Sequence, residues 1–272
     1  MHSKSSIANW LASATDQLRA IGITSARLDA ELLLAHTLRK SRTWIHAHGD
    51  EMIDGRTKEI ANARLDLRLD RVPIAYIIGH KEFYGRRFTV TTSTLIPRPE
   101  SEAMIELLKT TPLRPGMNLV DVGTGTGCLG ITAKLEHPDL EVTLVDIDTY
   151  ALTVAEKNAA AHGAVVESIK SNLLSQYPYI ADIILANLPY VDKEWAKSPE
   201  LRHEPAVALF ADDNGLSLIK QLIDQLPTKL RPGGYVLLEA DARQHHAMTH
   251  YAEQRGLRHV ASEGLIVLYQ SV

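Results

Sequence analysis

Three glycines at alternate positions, in Val120-Asp121-Val122-Gly123-Thr124-Gly125-Thr126-Gly127, constrain this chain more than any other feature. The apolar stretch Leu119-Val120-Asp121-Val122 ahead of them reads as a strand, and 129–135 behind them reads as a helix. Glycines at such a junction permit a tight turn and let a ligand approach the backbone. A merely flexible Gly/Thr turn is the plainer reading, but alternate spacing between a strand and a helix argues against it. A dinucleotide fingerprint, Gly-x-Gly-x-x-Gly, would put its last glycine at position 128, where Cys128 stands. The turn therefore suits a ligand without a pyrophosphate, such as S-adenosylmethionine.

The segments that follow have the same rhythm. Glu141-Val142-Thr143-Leu144-Val145 reads as a second strand ending at Asp146. An acidic residue there, about 20 residues past the glycine turn, is placed to bind ribose hydroxyls. It could instead cap the next helix, a role open also to Asp148 or Thr149. A third strand-like segment, 165–169, leads into Ser171-Asn172-Leu173. Asn172 can accept from an adenine amine through its carbonyl oxygen, and Leu173 can cover the ring. A buried strand, Ile183-Ile184-Leu185-Ala186, then ends at Asn187-Leu188-Pro189-Tyr190. The Asn187 side-chain carbonyl and the Leu188 backbone carbonyl can both accept from a planar NH2 group. Pro189 locks its own φ and restricts the residue before it, and Tyr190 offers a flat face for packing. On its own a strand ending in a Pro turn is usually just a turn; the glycine turn upstream gives the tetrapeptide its meaning.

With these motifs in order, the chain resembles the HemK/PrmC protein-glutamine methyltransferases. The resemblance spans nearly the whole chain. It includes Ala26-Arg27-Leu28-Asp29-Ala30-Glu31-Leu32-Leu33-Leu34-Ala35-His36, the connector Val72-Pro73-Ile74-Ala75-Tyr76-Ile77-Ile78-Gly79, and Glu82-Phe83-Tyr84-Gly85. Leu95-Ile96-Pro97-Arg98-Pro99-Glu100-Ser101-Glu102, Glu204-Pro205, Asp213-Asn214-Gly215-Leu216, Pro232-Gly233-Gly234, Leu238-Glu239 and Gln244 also fit. The resemblance implies a Rossmann-like class I S-adenosylmethionine-dependent methyltransferase domain, with a mostly parallel α/β sheet and a C-terminal antiparallel hairpin, beside a small N-terminal helical bundle. It implies methyl transfer to the glutamine amide in the Gly-Gly-Gln loop of class I peptide chain release factors, with S-adenosylhomocysteine as the product. Asn187, Leu188, Pro189 and Tyr190 would hold the substrate; Gly123, Thr124, Gly125, Thr126, Gly127, Asp146, Asn172, Leu173 and Asn187 would hold the cofactor. The chain departs from the family at Leu188, where Asn-Pro-Pro-Tyr is usual, at Asn172-Leu173, in place of a commoner Asp-aromatic pair, and at Asp241, where Gly is frequent. A related group methylates a ribosomal-protein glutamine, but residues 26–36 resemble the release-factor enzymes more.

Organisation follows in three parts: 1–74, a helical substrate-recognition domain; 75–96, a β-hairpin linker; and 97–272, the catalytic domain. In the first part, Trp10, Leu11, Leu18 and Ile21, then Leu28, Leu32 and Leu33, recur near helical spacing. Gly22 stops the first helix and Ser25 can cap the second. Trp10 and Trp44 read as core, whereas Arg64, Asp66, Arg68 and Asp70 read as a solvated face. The last segments, 257–262 and 265–270, read as a hairpin that closes the sheet. Arg98, Glu100 and Glu102 either flank the site or cap a helix near Pro99, and capping is the simpler role. Glu239 is either a buried hydrogen-bonded carboxylate or a residue at the sheet mouth.

Composition narrows the classes. A net charge of −4 in 272 residues implies no broad nucleic-acid groove, so no direct nucleic-acid binding is expected. That argues against an adenine-amine methyltransferase, which uses a similar tetrapeptide on an extruded base. The glycine turn, Asp146 and Asn187 argue against a non-catalytic adaptor. No apolar run of about 18 residues suggests a membrane span, the N-terminus lacks a signal-like stretch, and one cysteine fits a reducing cytoplasm. None of the 12 histidines has convincing metal-ligand spacing.

Overall fold

Capped amphipathic helices build the N-terminal part of the chain. The computed structural model describes residues 5–195 and 198–272, which fall into two units: residues up to Gly79 with Ser198–His203, and His80–Lys197 with Glu204–Val272. The first unit holds α1 (Ile7–Ala20), α2 (Ala26–Leu38), α3 (Arg42–Ala47), α4 (Gly55–Leu69) and α5 (Ile74–Ile78). Two short strands, β1 (Ser5–Ser6) and β2 (Met52–Ile53), pair antiparallel. Ser6, Ser41 and Asp54 accept from backbone N–H groups in the first turns of α1, α3 and α4. Gly22, at φ +77°, follows α1. Ser25 occupies the N-cap of α2, yet its side chain makes no capping bond.

Trp10, Leu11, Leu18, Leu33, Leu34 and Ile45 form this unit's core, with Trp44 half-buried against it. Two expected core positions face solvent instead: Ile21 is 37% and Leu28 41% exposed. The buried stripe of α2 runs through Ala26, Asp29, Ala30, Leu33 and Leu34, which leaves Leu28 outside it. Arg68 corrects the reading of α4 as carrying only a solvated charged face there. It is buried, and its Nε donates to Asp29 Oδ2 at 2.8 Å. Glu200 adds an acceptor for both Arg68 and Arg71, tying Ser198–His203 to the helices. Removing Asp29 would leave the buried Arg68 guanidinium only the longer Glu200 contact, at 3.3 Å, to balance it. Asp29→Ala should therefore cost about 3–5 kcal/mol in urea unfolding of the full chain, while Asp29→Leu combined with Arg68→Met should cost less than Asp29→Ala alone.

The second unit opens with a hairpin, β3 (His80–Phe83) and β4 (Arg86–Thr89). Its two-residue turn puts Tyr84 and Gly85 at positive φ, the hand that matches strand twist. After α6 (Glu102–Lys109), strand and helix alternate: β5 (Asn118–Val122), α7 (Cys128–Glu136), β6 (Glu141–Asp146), α8 (Thr149–His162), β7 (Glu167–Lys170) and β8 (Ala181–Ala186). Then come α9 (Ser217–Lys229), β9 (Leu230–Glu239), α10 (His245–Glu253), β10 (Leu257–Glu263) and β11 (Ile266–Ser271).

These strands form one seven-stranded sheet in the order β10-β11-β9-β8-β5-β6-β7. β5 to β9 run parallel, and β10 and β11 add an antiparallel end. Both faces are covered, which explains why β8 reads as an unbroken apolar run. Ile184 and Ala186 pack into one core cluster; Ile183 and Leu185 pack into the other. From β5 the chain first builds outward through β6 and β7, then returns to add β8 on the other side. Ligands of such sheets sit in the crevice outside the carboxyl ends at this switch of direction.

Candidate active site

A cleft of about 330 Å³ lies at those carboxyl ends, lined by the glycine turn, Asp146, Asn172, Leu173 and Asn187-Leu188-Pro189. The turn is held by β6. Gly123 and Thr124 donate their N–H groups to the Val145 carbonyl at 2.8 and 3.0 Å, and Gly125 donates to Asp146 Oδ2 at 2.9 Å. Positive φ at Gly123, Gly125 and Gly127 favours glycine. A Cβ at Gly123 would also lie 2.9 Å from Leu188 Cδ2, and one at Gly127 would lie 2.6 Å from Ile131 Cδ1.

Asp121 is a support that sequence reasoning did not single out. Buried in β5, it accepts from Thr124 Oγ1 at 2.6 Å and from the Gly130 N–H at 2.9 Å. Its bonds thus join the turn to the start of α7. The available signal was an aspartate inside an apolar strand two residues before the first glycine. Burial pushes its carboxyl up to about 6, against two hydrogen bonds that lower it, and the Asp146 charge adds to the rise.

Asp146 has both oxygens engaged by the backbone, Oδ2 by Gly125 and Oδ1 by the Asp148 N–H at 2.9 Å. Burial raises its pKa. The cap of α8 is Asp148, which accepts from the Tyr150 N–H at 2.8 Å. Asn172 is exposed at the cleft, whereas Leu173 is buried and held at φ +51°. A branched residue in that left-handed region is strained by about 1–2 kcal/mol.

The tetrapeptide is braced from below. Asn187 Nδ2 donates to Ser101 Oγ at 3.0 Å, and Ser101 Oγ donates to Glu239 Oε2 at 2.5 Å. Tyr190 is absent from the cleft lining: its ring packs on the core and its hydroxyl donates to Glu239 Oε1 at 3.0 Å. Its carbonyl accepts from Gln244 Nε2 at 2.8 Å. Gly215 presses so closely on that carbonyl that a Cβ would lie 2.0 Å from the oxygen. Glu239 is therefore buried and hydrogen-bonded as well as at the sheet mouth. Burial raises its pKa, and the neighbouring Ser101, Tyr190 and Asn187 side chains oppose that rise. Ser101 and Gln244 entered the sequence reading only as parts of motifs, because their partners lie far along the chain.

Arg98 lines the cleft and pairs with buried Glu204, which also accepts from the Ile96 N–H at 3.2 Å. Glu102 is structural, but not as a cap: it accepts from the Tyr84 N–H at 2.8 Å and so pins the hairpin turn to α6. Glu100 is exposed. Among the described residues no cluster of His, Cys, Asp or Glu could hold a metal ion.

Asp121 yields a test of this geometry. The folded state holds its proton more tightly than the unfolded chain does, since the ordinary value is 3.8 and the folded value about 6. Its contribution to stability is therefore fully present below about pH 4 and is lost as pH rises through 6. Asp121→Asn should flatten stability over that window and raise it at pH 7.5 by about 1–3 kcal/mol, as read from urea unfolding at a series of pH values.

Comparison with known proteins agrees with the fold. Residues 9–79 match the PrmC N-terminal domain and residues 99–204 the Methyltransferase small domain. A release factor glutamine methyltransferase of Cereibacter sphaeroides is 37% identical over 259 residues, covering 93% of this chain and 92% of that protein. One of Koribacter versatilis is 38% identical, covering 84% of this chain and 83% of its own. Among solved structures, the Thermus thermophilus 16S rRNA N2 G1207 methyltransferase in complex with AdoMet and guanosine shares the fold at a TM-score of 0.52. It is 19% identical, and the match covers 71% of this chain and 49% of that one. On this similarity in sequence and domain order, the chain belongs to the release factor glutamine methyltransferase family.

Proposed function

We propose that this chain transfers a methyl group from S-adenosylmethionine to the side-chain amide nitrogen of the glutamine in the Gly-Gly-Gln loop of class I peptide chain release factors. The observation that carries the reading is the Asn187 amide. Its NH2 end is turned inward to Ser101, so its carbonyl oxygen is the end available to an incoming NH2 group. The names and full-length similarity of the relatives support the acceptor.

The cleft suits the cofactor on its own chemistry. Its volume is in the range of small-ligand sites, a Cβ at Gly125 would meet nothing within 4 Å, so the middle of the turn leaves its backbone open to a ligand, and Asp146 lines the cleft with an acidic side chain. Gly123, Thr124, Gly125, Thr126 and Gly127 would hold it, with Asp146 toward the ribose and Asn172 and Leu173 toward the adenine. When bound, S-adenosylmethionine supplies an electrophilic methyl carbon and leaves as S-adenosylhomocysteine.

The chain's own contribution is orientation. An amide nitrogen is a weak nucleophile because its lone pair is delocalised. Asn187 and the Leu188 carbonyl would hold its two hydrogens, with Pro189 stiffening the backbone between those acceptors and Tyr190. Orientation of this kind is worth about 7–11 kcal/mol at best. The same acceptors would stabilise positive charge growing on nitrogen as the N–C bond forms, and the proton would leave to solvent afterwards. Leu188 replaces a second proline at no cost to its carbonyl, and its side chain is buried against the glycine turn. In this reading 1–74 recognises the substrate, 75–96 links, and 97–272 catalyses. No helix among the described residues is long and apolar enough to cross a membrane, and a cytoplasmic site of action follows from a translation-factor substrate.

Methyl transfer from labelled S-adenosylmethionine to a purified class I release factor, beside a copy with its loop glutamine changed to alanine, tests the reading. Label is expected on the first and absent from the second. No label on either, with cofactor binding intact, would contradict the acceptor and turn attention to the ribosomal-protein glutamine and then to adenine amines.

A further inference from the structure

We propose that Glu239 is a positioning residue for methyl transfer: its carboxylate, acting through Ser101, fixes which end of the Asn187 amide faces the substrate and strengthens the carbonyl oxygen as an acceptor. The inference rests on the assignment of Asn187 as the group that holds the substrate NH2.

An asparagine amide is nearly symmetric in shape, so packing alone does not choose between its two ends. Turned the wrong way, Asn187 would present NH2 to NH2 and hold nothing. Hydrogen-bond polarity makes the choice. The Ser101 hydroxyl has one hydrogen, directed at Glu239 Oε2 at 2.5 Å. Toward Asn187 it therefore shows a lone pair, which only the Nδ2 end can use, and that bond is 3.0 Å long. The hydroxyl of Tyr190 donates to the other carboxylate oxygen at 3.0 Å. A hydroxyl donates to each of its two oxygens, so the carboxyl group serves as an acceptor at both. Reversing the amide would point its oxygen at the lone pair of the Ser101 hydroxyl. In the observed direction the negative charge draws on the amide hydrogens, and a chain of bonds in a low-dielectric site polarises each member.

The placement is built into the sheet. The register pairs Ala186 with Leu238, so Asn187 and Glu239 are the next residues along adjacent strands. Glu239 is 1% exposed, and among the described residues no Lys or Arg pairs with it. A buried carboxylate without a cation is costly to keep, and a glutamine of the same shape would avoid that cost. The carboxylate therefore has a task that a neutral isostere would not perform.

Glu239→Gln in the full chain tests this with two readouts. The first is the Asn187 side-chain NH2 signal in an 15N–1H spectrum, identified by its loss in Asn187→Ala. The proposal expects it to shift and to lose protection from exchange in Glu239→Gln. The second is kinetic: kcat on the release factor should fall about tenfold or more. S-adenosylmethionine affinity and KM for the release factor should stay within about twofold. The thermal midpoint should hold or rise, because a buried charge is gone. An unmoved amide signal, an unchanged kcat, or cofactor affinity falling in step with kcat would each overturn the proposal. A shifted signal in Glu239→Gln, where the parent protein itself does not methylate the release factor, would support the positioning role and reject the acceptor.

Discussion

Parallel register at four strands is the constraint on which the site depends. Val122 of β5 is paired with Val145 of β6 and Ala186 of β8, and Ala186 with Leu238 of β9. The residues immediately beyond those pairs are Gly123, Asp146, Asn187 and Glu239. A strand moved by one residue would turn its side chains to the other face and remove its member from the set. The two core clusters hold the register, because alternate residues of β8 must enter opposite cores. Packing far from the chemistry thus sets the spacing of the groups that would perform it.

Stability is given up at this end of the sheet. Asp121 and Glu239 are buried carboxylates held by hydroxyl and backbone donors. Leu173, Asp213 and Asn214 occupy the left-handed region without being glycine. The last two belong to the turn whose Gly215 presses on Tyr190, and Gln244 bonds the carbonyls of both Asn214 and Tyr190. Strain and buried polarity persist only where the surroundings over-determine them. Here the surroundings are the two core clusters of the second unit, and strain and polarity alike brace the glycine turn or the tetrapeptide.

Much of this was legible in the chain because it depends on local pattern. The glycine turn, the acid at the end of β6 and the Asn-x-Pro-Tyr after an apolar run are each contiguous, and their order matches one architecture. Illegible were the pairings between distant residues. Arg68 lies among charges that read as solvated, but its partner Asp29 is 39 residues away. Ser101 meets Glu239 across 138 residues and Asn187 across 86, so nothing local marks it as part of the site. Leu28 fits a helical period yet faces solvent, because Asp29 occupies the buried stripe to meet Arg68. Periodicity finds faces; it does not say which polar residue a face has recruited.

The central claim is that Asn187 orients the acceptor without holding the cofactor's main binding energy. Its most direct measurement compares Asn187→Ala with the parent protein in two quantities: S-adenosylmethionine affinity by calorimetry, and the single-turnover rate of methyl transfer. The account predicts affinity within a few-fold of the parent and a rate lower by about a hundredfold or more. Affinity and rate falling together, or a rate left intact, would contradict it.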